Sequence, residues 1–558
     1  MTILRISPML LLLGLLALSS AAAEPFPDRW FYASHGLDSD EQLATLCSLV
    51  DTAADSGYNG MLLSSLSLAY RWPEERKERL RSLKRHCDER GIEIVPSVWS
   101  PGYGAMLGAN LNLMEGVPVR NVPMTVENRR AVFRPEQNDR VPNGGFEDPA
   151  RKPSLSPPGW TFVDGPGSIA FRDTEVRHSG EASLRMENFA SDKHGHGRAM
   201  LTFRVQPHRQ YRFSAWVKTE GLAPAQNLWT ILFYDKDEDV SLLLRHGMKP
   251  TQDWTKIWFP FTSGDTEECR IYIGMWEGKS GRFWLDDVAI EELGIVAPIR
   301  RHGTPVTVRE SETGRVLAEG TDYEPLPGVT RWHPPEDLAS LDLKLNASLP
   351  DGTRLLVDYY TPPPLQDVQH PSCMSDPEYY ELCRQSAAFI DETLHPAKWF
   401  LDLDEIRAGG TCHDCETRNT DMAHILADCA AKLAAIVRDV HPGATLYSWS
   451  DMFDPKHNAH DRYYACKGTY SGSWDLIPKD VVVVCWHGGI RDESLSFFSG
   501  HGFRTMAAAY YDADDLQGSR DWLEACRKTP DCRGLMYTTW ENKYGLLEPF
   551  GRELFLSK

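Results

Sequence analysis

Lys398-Trp399-Phe400-Leu401-Asp402-Leu403-Asp404-Glu405-Ile406-Arg407 decides the reading of this chain. A short apolar run reaches two adjacent carboxylates, and Ala408-Gly409-Gly410 then stops it. A buried strand ending in acids and glycines is how an α/β barrel presents chemistry at the C-terminal end of a strand. Side chains on a strand alternate between its faces. Asp404 and Glu405 therefore reach one pocket together only if the strand has ended and the backbone turns there. The plainer reading of the same residues is a solvated acid pair, or one bridged to Arg407.

Working outward, helical spacing over 376–393 leads into this strand and a second helix over 420–439 leads away from it. Strands follow at Thr445–Trp449, 481–485, 504–509 and 534–539. They end at Ser450-Asp451, Trp486-His487, Tyr510-Tyr511-Asp512 and Trp540-Glu541. Upstream, strands at 30–34, 59–65 and 92–99 alternate with helices at 38–56 and 73–90. Three strands before a long insertion and five after it make eight. The expected fold class is α/β: a (β/α)8 TIM barrel interrupted after strand 3 by a β-sandwich and a small β unit. The expected domains are 24–135, loop-like from 105, and 376–558 for the two barrel parts, with 136–294 for the sandwich and 295–375 for the small unit.

The sandwich is read from short alternating runs at 183–187, 199–205, 211–218, 230–234, 255–261, 269–275 and 281–288, with turn residues between them. Trp216, Trp229, Trp254, Trp258 and Trp276 fall within or beside these runs. Most Trp in a sandwich are core, so at most one or two of the five are expected as sugar-stacking platforms.

The chain has 558 residues, 42% of them apolar, and 17 Trp, which suits several well-packed domains. A formal net charge of −20 argues against nucleic acid or an anionic membrane as partner and leaves a neutral sugar open. Residues 1–23 carry Arg5, an apolar core over 9–18 and Ala21-Ala22-Ala23, the pattern of an export signal. A secreted or periplasmic protein is expected, and disulfides are then admissible. Among the 12 Cys, Cys412-x-x-Cys415 stands out. No second C-x-x-C or H-x-x-H completes a zinc set, so a disulfide or free thiols are favoured.

Acids among Trp and Tyr at a barrel mouth suit glycoside hydrolysis, where a carboxylic acid protonates the leaving oxygen and aromatic rings stack on sugar faces. Adjacent acids cannot flank one bond from opposite sides. They suit a division into acid and orienter, as in substrate-assisted hydrolysis.

Two resemblances sharpen this. Asn143-Gly144-Gly145-Phe146-Glu147, Gly159-Trp160 and the closing Leu285-Asp286-Asp287-Val288 resemble the jelly-roll carbohydrate-binding modules. That resemblance implies an oligo- or polysaccharide partner and a structural calcium, for which Glu147 and Asp287 are the hard oxygen ligands on offer. Turn capping is the other reading of both acids. In the barrel, Gly91-Ile92-Glu93-Ile94-Val95-Pro96 with Pro101-Gly102, then Asp404-Glu405, Tyr510-Tyr511-Asp512 and Trp540-Glu541, resemble in order the motifs of glycoside hydrolase family 20, the β-N-acetylhexosaminidases.

The second resemblance implies Glu405 as general acid/base and Asp404 as the group that steers a 2-acetamido group onto the anomeric carbon. Tyr510 or Tyr511 would hold the acetamido oxygen, Glu541 would bind sugar hydroxyls, and Trp449 and Trp486 would line the pocket. Trp99, Asp451, Asp512 and Trp540 complete the candidate substrate-binding set, with no cofactor for catalysis. Tyr103 stands where that family has a histidine, and Phe400, Leu401, Asp402 and Leu403 replace its residues before the acid pair. A retaining glycosidase pairing Glu405 with Asp512 or Glu541 is the second reading. A carbohydrate-binding protein with a degenerate barrel is the third.

Overall fold

The computed structural model describes residues 26–135, 141–150, 155–233, 240–332, 339–363 and 369–557. The 1–23 segment lies outside them. Eight parallel strands close into a barrel: β1 (Asp28–Ala33), β2 (Gly60–Leu63), β3 (Glu93–Val98), β4 (Lys398–Leu401), β5 (Thr445–Trp449), β6 (Val482–Cys485), β7 (Thr505–Ala508) and β8 (Cys532–Tyr537). β3 and β4 are neighbours, with Ser97 opposite Phe400 and Val98 opposite Leu401. Both antiparallel units lie between them in the sequence.

Each strand is short and nearly all buried, because the barrel fills its interior while helices cover the outside. Trp30, Leu62, Val95, Phe400, Tyr447, Trp449, Val482, Val484, Met506 and Met536 form the interior. The helices begin where capping side chains stand ready: Ser39 before Asp40–Asp55, Asp376 before Pro377–Leu394, and Asp421 before Met422–Val440. At the N-terminal end of the strands, buried Asp28 accepts from the Tyr447 hydroxyl at 2.8 Å and from Arg533 Nε at 2.9 Å, with Lys398 Nζ at 3.3 Å. Charge at that end is thus paired, and it serves closure of the barrel.

Residues 141–293 form two five-stranded antiparallel sheets face to face. Their shared core includes Phe146, Trp160, Leu201, Phe213, Leu232, Phe259 and Ile290. The third unit departs from expectation. The stretch expected to be loop-like contains an 11-residue strand, Val117–Glu127, followed by Arg130–Phe133. Both belong to a six-stranded sheet with Thr307–Glu310, Val316–Leu317, Leu343–Lys344 and Arg354–Thr361. Val119, Val122, Met124 and Val126 turn inward against Val308, Leu355, Val357 and Tyr359. The chain therefore enters this six-stranded unit before the sandwich and returns to it afterwards.

Barrel closure sets a narrow steric condition at Gly534, which pairs with Asp28. A Cβ at Gly534 would sit 1.7 Å from the Asp28 carbonyl oxygen. Gly534→Ala is expected to destabilise the barrel by about 2–4 kcal/mol. Denaturant unfolding followed by barrel fluorescence measures this, with the sandwich transition as internal reference.

Candidate functional site

β4 ends at Leu401, and the backbone then turns so that Asp402, Asp404 and Glu405 all line one cavity of about 780 Å3 at the C-terminal mouth of the barrel. The turn is local and costly: Glu405 has φ +45°, a left-handed conformation that an L-residue holds only when its surroundings impose it. Two contacts impose it. The Glu405 amide donates to Asp451 Oδ2 at 2.9 Å. Gly102 packs beneath, where a Cβ would lie 2.2 Å from the Asp404 carbonyl oxygen.

The cavity walls are aromatic: Tyr32, Trp72, Tyr103, Trp332, Trp449, Trp486, Tyr511 and Trp540. Trp540 is the hinge of this wall, with ring centres 5.3 Å from Tyr32, 5.7 Å from Trp449 and 6.2 Å from Tyr511. Trp486 and Tyr511 are nearly parallel at 6.4 Å.

The acids differ in their partners. Tyr103 OH donates to Glu405 Oε2, and Gln369 Nε2 donates to the same oxygen at 3.0 Å. Arg407 pairs with Glu405 Oε1 at 2.9 Å. Burial, then the charges of Asp404 and Glu405, push the Tyr103 hydroxyl well above its ordinary range, so it remains a proton donor.

Asp404 is different. Its Oδ1 is buried and has no hydrogen-bond partner among the described residues. Burial, and after it the charges of Asp402, Asp451 and Glu405, hold its carboxyl well above the carboxylate range. Burial raises Asp402 to about 7, against donation from Ser97 Oγ and from Trp449 Nε1 at 3.2 Å. Asp451 is raised to about 6 by burial, while it accepts from Glu405 N, Asn458 Nδ2 and Trp486 Nε1.

Of the residues proposed from sequence, Asp404, Glu405, Trp449, Trp486, Tyr511 and Trp540 line the cavity, and Asp451 stands directly behind Glu405 and Trp486. The other four lie farther from it. Trp99 is fully buried, packs on Trp399 at 5.9 Å and donates to Ser386, so it is core. Tyr510 stacks on Tyr537 at 4.2 Å and donates to the Ala513 carbonyl. Asp512 accepts from Thr539 Oγ1 and the Trp540 amide, fixing the turn that carries Trp540. Glu541 is exposed and pairs with Lys543 at 2.8 Å. The acid and nucleophile pairing of Glu405 with Asp512 or Glu541 therefore lacks a shared cavity.

Sequence reasoning passed over Asp402, Tyr103, Tyr32, Trp72, Trp332 and Gln369. Asp402 and Tyr103 had been noted only as departures from a family pattern. The Glu405–Arg407 bridge of the plainer reading does form, with both side chains largely buried and Glu405 at the cavity wall.

In the sandwich, Glu147 accepts the Glu181 amide with both oxygens. Asp287 holds His178 Nδ1 at 2.6 Å and Ser179 Oγ at 2.7 Å. Both carboxylates fasten the 178–181 turn, and neither falls in a cluster of potential metal ligands among the described residues. All five Trp expected to be mainly core are only partly buried, and the buried sandwich Trp are Trp160 and Trp284. Trp216 lies flat on His178 at 3.9 Å with Trp254 at its edge. Trp258 lines a second cavity of about 380 Å3 together with Leu242, Leu244, His370 and Trp332. Trp332 thus borders both cavities.

Residues 138–280 match the family model described as a carbohydrate binding domain. Among solved structures, the CBM22-1 xylan-binding domain from Paenibacillus barcinonensis is 16% identical, covering 29% of this chain and 100% of that one at a TM-score of 0.22. A structure titled "CBM4 structure and function" is also 16% identical, over 27% of this chain and 99% of that one, TM-score 0.21. The β-N-acetylhexosaminidase from Bacteroides fragilis is 15% identical over 34% of this chain and 42% of that one, TM-score 0.24. No curated protein matches the chain. No helix of the described residues is long and apolar enough to cross a membrane.

The raised Asp402 gives a pH dependence with a defined sign. Its folded value exceeds its unfolded one, so its contribution to stability is complete below the ordinary carboxylate range and is lost as pH rises toward about 7. The melting temperature should fall between pH 5 and pH 8, and Asp402→Asn should flatten that fall, as read by calorimetry across buffers.

Proposed function

We propose that the barrel is a glycoside hydrolase acting on an oligo- or polysaccharide bearing 2-acetamido sugars, with retention of configuration. The observation that carries this reading is the unpartnered, buried Oδ1 of Asp404 beside Glu405 in an aromatic-walled cavity. A buried acceptor without a donor costs roughly 1–3 kcal/mol, which a substrate N–H or O–H at that point would recover. An acetamido N–H suits it. Held there, the acetamido oxygen attacks the anomeric carbon as the bond to the leaving oxygen breaks. Glu405 gives its proton to that oxygen and then takes one from the water that opens the intermediate. Arg407 and Tyr103 hold the Glu405 carboxyl in position.

One observation favours the same chemistry with the two roles exchanged. Asp404 is the carboxyl that burial and three neighbouring acids push upward, as a proton donor requires. The carbohydrate-binding match of 138–280, and the position of Trp332 between the two cavities, support a glycan longer than one residue running from barrel mouth to sandwich edge. The reading of residues 1–23 as an export signal supports an enzyme that acts outside the cytoplasm.

Glu405→Gln and Asp404→Asn should each lower kcat/KM on an aryl N-acetylglucosaminide by about 10²–10⁴. Substrates with very good leaving groups need no acid, so they rescue the acid's variant and not the orienter's. The rescued variant identifies the acid. Full activity in both variants, or no turnover of any glycan the sandwich binds, would sink the proposal. Trp332→Ala should raise KM for oligosaccharides several-fold and leave that for an aryl monosaccharide unchanged, as measured by steady-state kinetics on the two substrate types.

A further inference from the structure

Cys412 and Cys415 acquire a third thiol in the fold. Cys373 Sγ lies 3.5 Å from Cys412 Sγ and 3.7 Å from Cys415 Sγ. Glu115 completes the group, with Oε2 3.8 Å from Cys415 Sγ. All four residues are buried, and one ligand atom from each lies within 4.8 Å of the others. A disulfide needs sulfurs about 2.05 Å apart. Thiolates on a tetrahedral zinc, each at about 2.3 Å from the metal, stand about 3.8 Å from one another. The observed spacings are near the second geometry.

The surroundings are those of a ligand set as well. Glu115 Oε1 accepts the amides of Thr411 at 3.1 Å and Cys412 at 3.0 Å and the Thr411 hydroxyl at 3.2 Å. These bonds fix the carboxylate and leave Oε2 on the side of the sulfurs. Arg301 is buried beside the cluster and faces Cys373, Cys412 and Glu115, with its Nη1 also 3.4 Å from Asp376 and 3.6 Å from Asp414. Three thiolates and a carboxylate around a divalent ion carry a net charge of −2, which an arginine offsets in part.

We propose that Glu115, Cys373, Cys412 and Cys415 form a structural zinc site. Three thiolates and one carboxylate in a closed, buried tetrahedron suit Zn2+, and no position is left for substrate. Loading releases the thiol protons to solvent. The site has a clear mechanical place. Glu115 immediately precedes the strand Val117–Glu127, and Cys373 follows the strand Arg354–Thr361, so the two mark where the chain leaves and rejoins the barrel side. Met114 and Ser372 form a β-bridge beside them. Cys412 precedes and Cys415 lies within the short helix His413–Thr417, on the segment that follows Glu405 and Arg407. One ion would tie both crossings to the segment that follows the acid pair.

The test uses the full chain from zinc-replete expression. Metal analysis should find about one zinc per chain. Cobalt exchange should give the near-ultraviolet charge-transfer band of thiolate–cobalt bonds. Cys373→Ser should abolish both signals, and Cys47→Ser should leave them intact. Glu115→Gln, chosen to keep the fold, should speed loss of zinc to a chelator on the order of 10- to 100-fold. Denatured without reductant but with chelator, the protein should show all 12 thiols. Wild-type protein with no bound zinc and no cobalt band overturns the proposal. So do two missing thiols mapped to a bond between any two of Cys373, Cys412 and Cys415.

Discussion

The pairing of β3 with β4 is the constraint on which the rest depends. Ser97–Phe400 and Val98–Leu401 are its two ladder pairs, Lys398 bridges Glu93 at 2.8 Å beside them, and a whole sandwich and a second sheet are looped out between the strands. Parallel neighbours need a crossover, and ordinarily a single helix supplies it. Here the crossover is two domains, so the register must be held by more than two residue pairs. Ser97 on Asp402 and Gly102 beneath Asp404 and Glu405 extend the contact past the strand ends. The same contacts that close the barrel therefore shape the acidic turn.

That turn concentrates like charge among largely buried side chains. Asp402, Asp404, Glu405 and Asp451 share one neighbourhood, and for three of them burial is the largest force on the proton. The fold answers unevenly. Asp451 receives three donors, Glu405 receives Arg407, Tyr103 and Gln369, and the Oδ1 of Asp404 receives none. Unequal satisfaction of chemically similar groups is how a site divides roles among them. It is also why an orienting role and an acid role for Asp404 are both physically coherent, and why leaving-group dependence separates them.

The second sheet and the sandwich contribute more than bulk. Trp332 comes from within the inserted six-stranded unit and lines the barrel mouth, and Gln369, on the segment that returns from that unit, donates to Glu405. The cavity is thus a joint product of strand ends and inserted domains. A barrel without its insertion would lack one wall and one donor to Glu405.

Periodicity made the barrel strands and the long helices legible, because each buries a face set by residues near in sequence: Val482–Cys485 is apolar throughout, and Met422–Val440 carries its apolar stripe at helical spacing. The acid pair was legible for the same reason, since a strand followed by acids and glycines is a local pattern. Val117–Glu127 was not. One partner strand, Arg354–Thr361, lies far along the chain, the adjacent one, Arg130–Phe133, is only four residues long, and Pro118 and Pro123 mask the alternation. Nor could sequence separate Tyr511, which lines the cavity, from Tyr510, which packs on Tyr537, because one residue's difference in register on a strand end reverses the face. Local pattern carried the element types of the barrel, the candidate acids and the alternating texture of the sandwich. Tertiary structure alone decided which aromatics face the cavity, which acid stays unpartnered, and that Cys373 and Glu115 join Cys412 and Cys415. Each of those depends on contacts between residues distant in the chain, which no local pattern encodes.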